Sequence, residues 1–160
     1  KWEGPRNMVD LCDIVKRFYL DPLTRAGCSL KLVLPAILAR STFLQEKYSK
    51  PIYGAKGLSS KNFDKMQWVV FDGDAVRDPY ELLPPMFDDV ADRDMLLLSR
   101  DDDTLTEGGA AMTAYARLQF EEMGDVERRA ITQALLKYCE LDTLAMVMVH
   151  EGLRSLCQSA

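Results

Sequence analysis

The stretch LLKYCELDTLAMVMVHEGL, residues 135–153, decides how this chain is read. Apolar residues recur in it every three or four positions, the spacing that lines one face of a helix. One row runs Ile131, Leu135, Tyr138, Asp142, Ala145, Val149, Leu153. Six of these seven are apolar or aromatic, and the seventh is an aspartate one turn beyond a tyrosine. A carboxylate on a buried stripe is expensive unless it is paired or holds a cation. Asp142 must therefore pair, bind a metal or face a cleft. The same periodicity extends the helix from about Val126 to Cys157 and makes it the longest element expected.

Working outward, the 160 residues suffice for one domain with a real core, and 48% hydrophobic with 28% charged residues is a globular composition. No apolar run reaches the roughly 18 residues of a membrane span, and nothing at the start reads as a signal peptide. Cys12, Cys28, Cys139 and Cys157 are scattered without a CxxC pair. That spacing argues against a zinc site and for reduced, mostly buried thiols in a cytoplasmic protein. The single histidine, His150, excludes multi-histidine metal sites and weakens any serine or cysteine triad; a structural or solvent-facing role is expected for it. The first residue is Lys1, which reads either as a processing or tag remnant or as the start of a downstream part of a longer protein. Lys1 to Lys61 carries eleven Lys and Arg against five Asp and Glu, whereas Asp88 to Glu107 carries eight acids against two arginines. A basic first third could face a polyanion such as nucleic acid, although a solvated lysine-rich surface beside an acidic loop explains the same pattern.

Along the chain, Met8-Val9 reads as a short apolar strand or an extended entry, followed by a helix whose buried side is Val9, Leu11, Ile14, Val15, Phe18 and Tyr19. Asp21-Pro22 opens a turn that closes at Gly27. Ser29 is an N-cap candidate for a second helix faced by Leu30, Val33, Leu34 and Ile37, with a break or kink expected at Pro35. Residues 41–107 are the least regular part and read as an insertion. Within it, EKYSKPIYGAKGLSS is loop-like, and QWVVFDGDAVRDPY reads as a small hairpin turning at Asp72-Gly73. Pro84-Pro85 imposes an extended segment or short turn. A helix led in by Gly108-Gly109, with Ala111, Met112, Tyr115 and Leu118 on its apolar face, precedes the break at Gly124-Asp125. The fold class expected is mostly α with a small β-hairpin insertion, as a single domain or a partial domain over residues 1–160. Either a self-contained helical domain or the helical half of an α/β domain fits.

Tyr138 and Asp142 stand one turn apart on one face. Two-metal phosphodiester hydrolysis needs carboxylates to hold Mg²⁺ or Mn²⁺ and a group to orient the attacking water, and this pair offers one of each. Alone the pattern is weak, and a packed tyrosine beside a hydrogen-bonded aspartate accounts for it better. Other features read more simply. Asp101-Asp102-Asp103 lacks the spacing of a calcium loop. Cys139 has no nearby histidine to activate it. Trp68, Tyr53, Phe63 and Phe71 are either a base-stacking platform or, with better odds, the small core of the insertion. No phosphate-binding glycine motif is present.

Three blocks in one order, VDLCDIVKRFYLDPLTRAGCSLKLVLPA, EGGAAMTAYARL and LLKYCELDTLAMV, resemble the C-terminal region of a bacterial family, the domain of unknown function 2779 family. That family is similar to RNase H-like exonucleases of the DEDD type, tyrosine subtype. EKYSKPIYG and DPYELLPP resemble an insertion in its longer members, so the resemblance covers roughly Met8 to Val149. It implies the helical half of an RNase H-like α/β exonuclease fold and a metal-dependent 3′-5′ exonuclease acting on DNA or RNA. YCELD matches the third exonuclease motif, with Tyr138 orienting the water and Asp142 binding Mg or Mn. Asp10 of VDL would be a supporting residue, and Lys31 of SLK a phosphate contact. The family's opening Asp-x-Glu and its second acid are absent from this chain. The resemblance thus implies that the chain is inactive in isolation and needs an upstream part of the same protein. The alternative is a non-catalytic helical binding or scaffolding domain.

Overall fold

The computed structural model describes residues 8–55, 57–83 and 106–159. Helix α1 spans Leu11–Phe18, α2 Leu30–Arg40, α3 Thr42–Tyr48, α4 Thr106–Phe120 and α5 Asp125–Ser159. Two short strands, β1 (Phe71–Asp72) and β2 (Ala75–Val76), pair antiparallel, Phe71 opposite Val76 and Asp72 opposite Ala75. The chain is thus mostly helical with one small hairpin. Gly73 takes a positive φ of 60° in the two-residue connection, as tight hairpins require. Pro84-Pro85 and the acidic run 101–103 lie outside the described residues.

Long helix α5 is the spine against which α2, α3 and α4 pack. Its buried line is Ala134, Leu141, Leu144, Ala145, Met148 and Val149, continuous with Val33, Leu34, Ile37 and Leu38 of α2 and Leu44 and Tyr48 of α3. The row read through Tyr138 and Asp142 lies on the flank of this line: both are half-buried, and only Ala145 and Val149 of the seven are fully buried. Gly152 sits where α5 meets α2 and α3. A Cβ there would overlap Ile37 Cγ2 and crowd Leu44 Cδ1 at 2.9 Å, so the helices approach closely only because the side chain is missing.

Several elements differ from expectation. α2 is not broken at Pro35 but runs through it, because Val33, Leu34, Ala36, Ile37 and Leu38 are all buried and that packing outweighs one missing N–H. Ser29 precedes α2 without a side-chain cap bond. α1 buries only Val15 fully; Val9 and Phe18 are exposed. Thr42–Tyr48 is helical rather than loop, with Ser41 Oγ accepting from the Leu44 N–H as its N-cap. Gly108 and Gly109 lie inside α4, and it is Ala114 that is buried there while Met112 and Tyr115 are exposed. Of the cysteines, Cys139 and Cys157 are exposed and Cys12 and Cys28 half-buried, so the expectation of mostly buried thiols fails. Cys139 and Cys157 sit on the exposed side of α5, where helical spacing alone does not say which side meets a neighbour.

The irregular segment joins the main core. Trp68 is fully buried edge-on to Phe63 and Tyr53, with ring centroids 4.9 and 5.9 Å away, while Phe71 stays exposed. The Trp68 and Val69 N–H groups both donate to the Tyr48 carbonyl, at 2.9 and 3.0 Å, tying the segment to the end of α3. Asp21 closes the turn after α1: it accepts from the Leu23 N–H at 2.8 Å and from Arg40 Nε at 3.0 Å.

Replacing Gly152 with Val should lower stability by about 3 kcal/mol, because overpacking against Ile37 and Leu44 outweighs valine's small gain in helix propensity over glycine. Urea unfolding with an unchanged slope and a lowered midpoint would show it.

Candidate functional site

Asp142 finds its partner in Tyr80, whose hydroxyl donates to Asp142 Oδ1 at 2.6 Å. Tyr80 is carried by a 3-10 turn, Pro79–Leu82, whose preceding Asp78 accepts from the Tyr80 N–H at 3.0 Å. Proline at the first position of the turn is pre-set for it, and its ring is buried. The Tyr80 and Tyr138 rings meet at 5.9 Å with their planes inclined by 51°. The Lys31 ammonium, from the first turn of α2, lies over both rings, 4.8 Å from the centre of Tyr80 and 5.0 Å from that of Tyr138. A cation over an aromatic face is attracted by the ring quadrupole, by about 1 kcal/mol for a partly exposed pair.

Three residues singled out from sequence, Lys31, Tyr138 and Asp142, therefore converge on one patch. Tyr80 completes it and was missed. The signal available was the Asp78-Pro79-Tyr80 turn following a hairpin, which fixes the local backbone but not what the phenol reaches. Burial first, then the hydrogen bond to Asp142 and its charge, push the Tyr80 phenol far above the ordinary tyrosine range. Tyr80 thus keeps its proton and is a fixed hydrogen-bond donor to the carboxylate. Asp10 has a different employment: exposed, it caps α1, accepting from the Cys12 and Asp13 N–H groups at 2.9 and 3.3 Å. His150 faces solvent.

Hard divalent cations take several oxygen ligands. Among the described residues no group of three or more His, Cys, Asp or Glu side chains could hold a metal. The patch supplies one carboxylate, with one oxygen already accepting from a phenol, so by themselves these residues do not form a Mg or Mn cage.

Two further carboxylates of α5 are treated in the same way. Glu140 Oε1 accepts from the Tyr53 hydroxyl at 2.8 Å and from the Ser60 hydroxyl, and its Oε2 accepts from Asn62 Nδ2 at 2.6 Å. Glu151 accepts from Tyr48 at 3.0 Å and from both contacts of Lys47 Nζ, at 2.7 and 2.8 Å. For Glu140, burial works against ionisation, but the donors from Ser60, Tyr53 and Asn62, with the Lys61 backbone, outweigh it and hold the carboxyl below the usual range.

No family model, no curated protein and no solved structure matches this chain. Among the described residues no helix is long and apolar enough to cross a membrane.

Tyr80→Phe leaves a half-buried carboxylate short of a donor and should cost about 2 kcal/mol in unfolding free energy, measurable by denaturant titration. Because folded Glu140 ionises more readily than free glutamate, the folded state binds fewer protons than the unfolded chain near pH 4. Its stabilisation is complete above the unfolded value and is lost as pH falls through the folded one. Thermal unfolding from neutral pH to about pH 3 should show this loss, and Glu140→Gln should flatten it.

Proposed function

We propose that this chain is the C-terminal part of a metal-dependent RNase H-like 3′-5′ exonuclease acting on DNA or RNA. In this reading Asp142 is one metal ligand, Tyr138 orients the attacking water and Lys31 contacts a phosphate. The observation that carries it is the convergence of Lys31, Tyr138 and Asp142 from two helices far apart in sequence onto one half-buried patch. Such a patch pairs a carboxylate for a cation with an ammonium for the backbone of a nucleic acid. The remaining acids would come from an upstream part of the same protein, and a bound Mg²⁺ or Mn²⁺ would supply the charge that activates water and stabilises the leaving oxygen. By itself the chain is inactive.

The residues' own part is positional. Tyr80 donates to Asp142 Oδ1 and so orients the carboxylate plane, and the two phenol rings hold the Lys31 ammonium beside it. That matches the support which ligating carboxylates receive from hydrogen-bonding neighbours in metal sites.

A second reading, a non-catalytic helical binding or scaffolding domain, is favoured by a different observation. Asp142 is met by a tyrosine in the same way as Glu140 and Glu151, which the exonuclease reading does not use. The two readings part in the intact protein, assayed with Mn²⁺ and end-labelled single strands. The nuclease reading expects stepwise hydrolysis in the wild type, a fall of at least about 100-fold in Asp142→Asn, and an unfolding midpoint within a few degrees of wild type, since asparagine still accepts from Tyr80. Full activity in Asp142→Asn, or no hydrolysis by the wild type, would give the second reading the field.

A further inference from the structure

Cys12 and Cys28 are separated by the rest of α1, a 3-10 turn and a loop, yet their sulfurs lie 3.5 Å apart. Cys12 stands in the first turn of α1, and Cys28 directly precedes Ser29 at the head of α2. Both are half-buried, so a small reagent can reach them. The hydrogen bond with Cys28, and then burial, raise the Cys12 thiol above its ordinary value, and the Lys16 ammonium one turn further along α1 opposes them only in part. The two sulfurs also form part of the wall of an apolar groove of about 630 Å³ shared with Met8, Leu11, Val33 and Met146.

We infer that Cys12 and Cys28 are a reversible disulfide-forming pair, oxidised by a low-molecular-weight disulfide of the glutathione class. In the first step one protein thiol loses its proton, and the thiolate attacks a sulfur of the small disulfide. A mixed disulfide forms and one small thiolate leaves. In the second step the neighbouring protein thiol loses its proton and attacks the protein sulfur of the mixed disulfide. The Cys12–Cys28 bond forms, and the second small thiolate departs. Two protein thiols are oxidised by two electrons, one small disulfide is reduced to two small thiols, and the two protons released by the protein are taken up by them. Proximity drives the second step, because the resolving sulfur is already in contact.

The bond would act on the least anchored element of the described core. α1 buries only Val15 fully, and Phe18 at its end is exposed. Joining Cys12 to Cys28 would staple α1 to the head of α2 and fix that wall of the groove. Reversible pairs of this kind, reachable by small thiols, are the disulfides found in reducing compartments.

The test uses the intact protein, reduced and then exposed to oxidised glutathione, with peptide mapping under non-reducing conditions and amide hydrogen exchange. The expected result is a linked pair of peptides containing Cys12 and Cys28, reversed by dithiothreitol, with exchange in α1 slowed by at least about tenfold. In Cys12→Ser a glutathione adduct should persist on Cys28, and exchange in α1 should stay at the reduced wild-type rate. Stable glutathione adducts on wild-type Cys12 or Cys28 without a bridge would overturn the inference. So would bridging that runs through Cys139 or Cys157 instead.

Discussion

Three carboxylates on the long helix, Glu140, Asp142 and Glu151, each accept a hydrogen bond from a tyrosine: Tyr53 and Tyr80 come from the irregular segment and Tyr48 from the end of α3. The rest of the described structure depends on this constraint. Residues 49–83 have little secondary structure of their own, so few backbone ladders hold them. What holds them is a small aromatic core around Trp68 and a set of tyrosine hydroxyls aimed at charged acceptors. Bonds to ionised acceptors are roughly twice as strong as neutral ones. Each tyrosine also brings a ring that removes apolar surface from water, so one side chain supplies both packing and orientation.

The arrangement makes one helix serve two purposes. Its buried line of Ala134, Leu141, Ala145, Met148 and Val149 closes the core against α2 and α3, with Gly152 permitting the closest approach. Its flank carries the acids. Asp142 belongs to that flank, where Tyr80 donates to the half-buried carboxylate and Lys31 stands over the adjoining rings. A carboxylate so placed is held in one orientation by its donor, which is what a structural acceptor needs. The patch therefore ties the irregular segment to the long helix through Tyr80 and Asp142.

The legible parts of the fold were those governed by local rules. The extent of the long helix and the presence of the hairpin follow from periodicity and turn chemistry and stand in the structure, the turn falling one residue later than read, at Gly73-Asp74. Trp68, Tyr53 and Phe63 pack together, but as part of the main core and without Phe71. α3 was hidden because its seven residues, Thr42–Tyr48, are too few to show two turns of apolar pattern, and Ser41 serves as the end of one helix and the cap of the next. The continuity of α2 through Pro35 was hidden because a proline penalty is local while the packing that offsets it is not. For α1 and α4 the apolar faces were assigned by spacing alone, and Phe18, Met112 and Tyr115 are exposed all the same.

Of the site, the sequence by itself determined that Asp142 stands one turn from Tyr138 on an apolar helix and cannot be left without a partner, since helical geometry and the cost of desolvating a carboxylate admit nothing else. Tertiary structure alone decided who that partner is. Tyr80 lies sixty-two positions earlier, Lys31 approaches from another helix, and Cys28 reaches Cys12 across a turn. These meetings depend on how α2, α5 and the 3-10 turn pack, and packing is a property of the assembled core rather than of any short stretch of sequence.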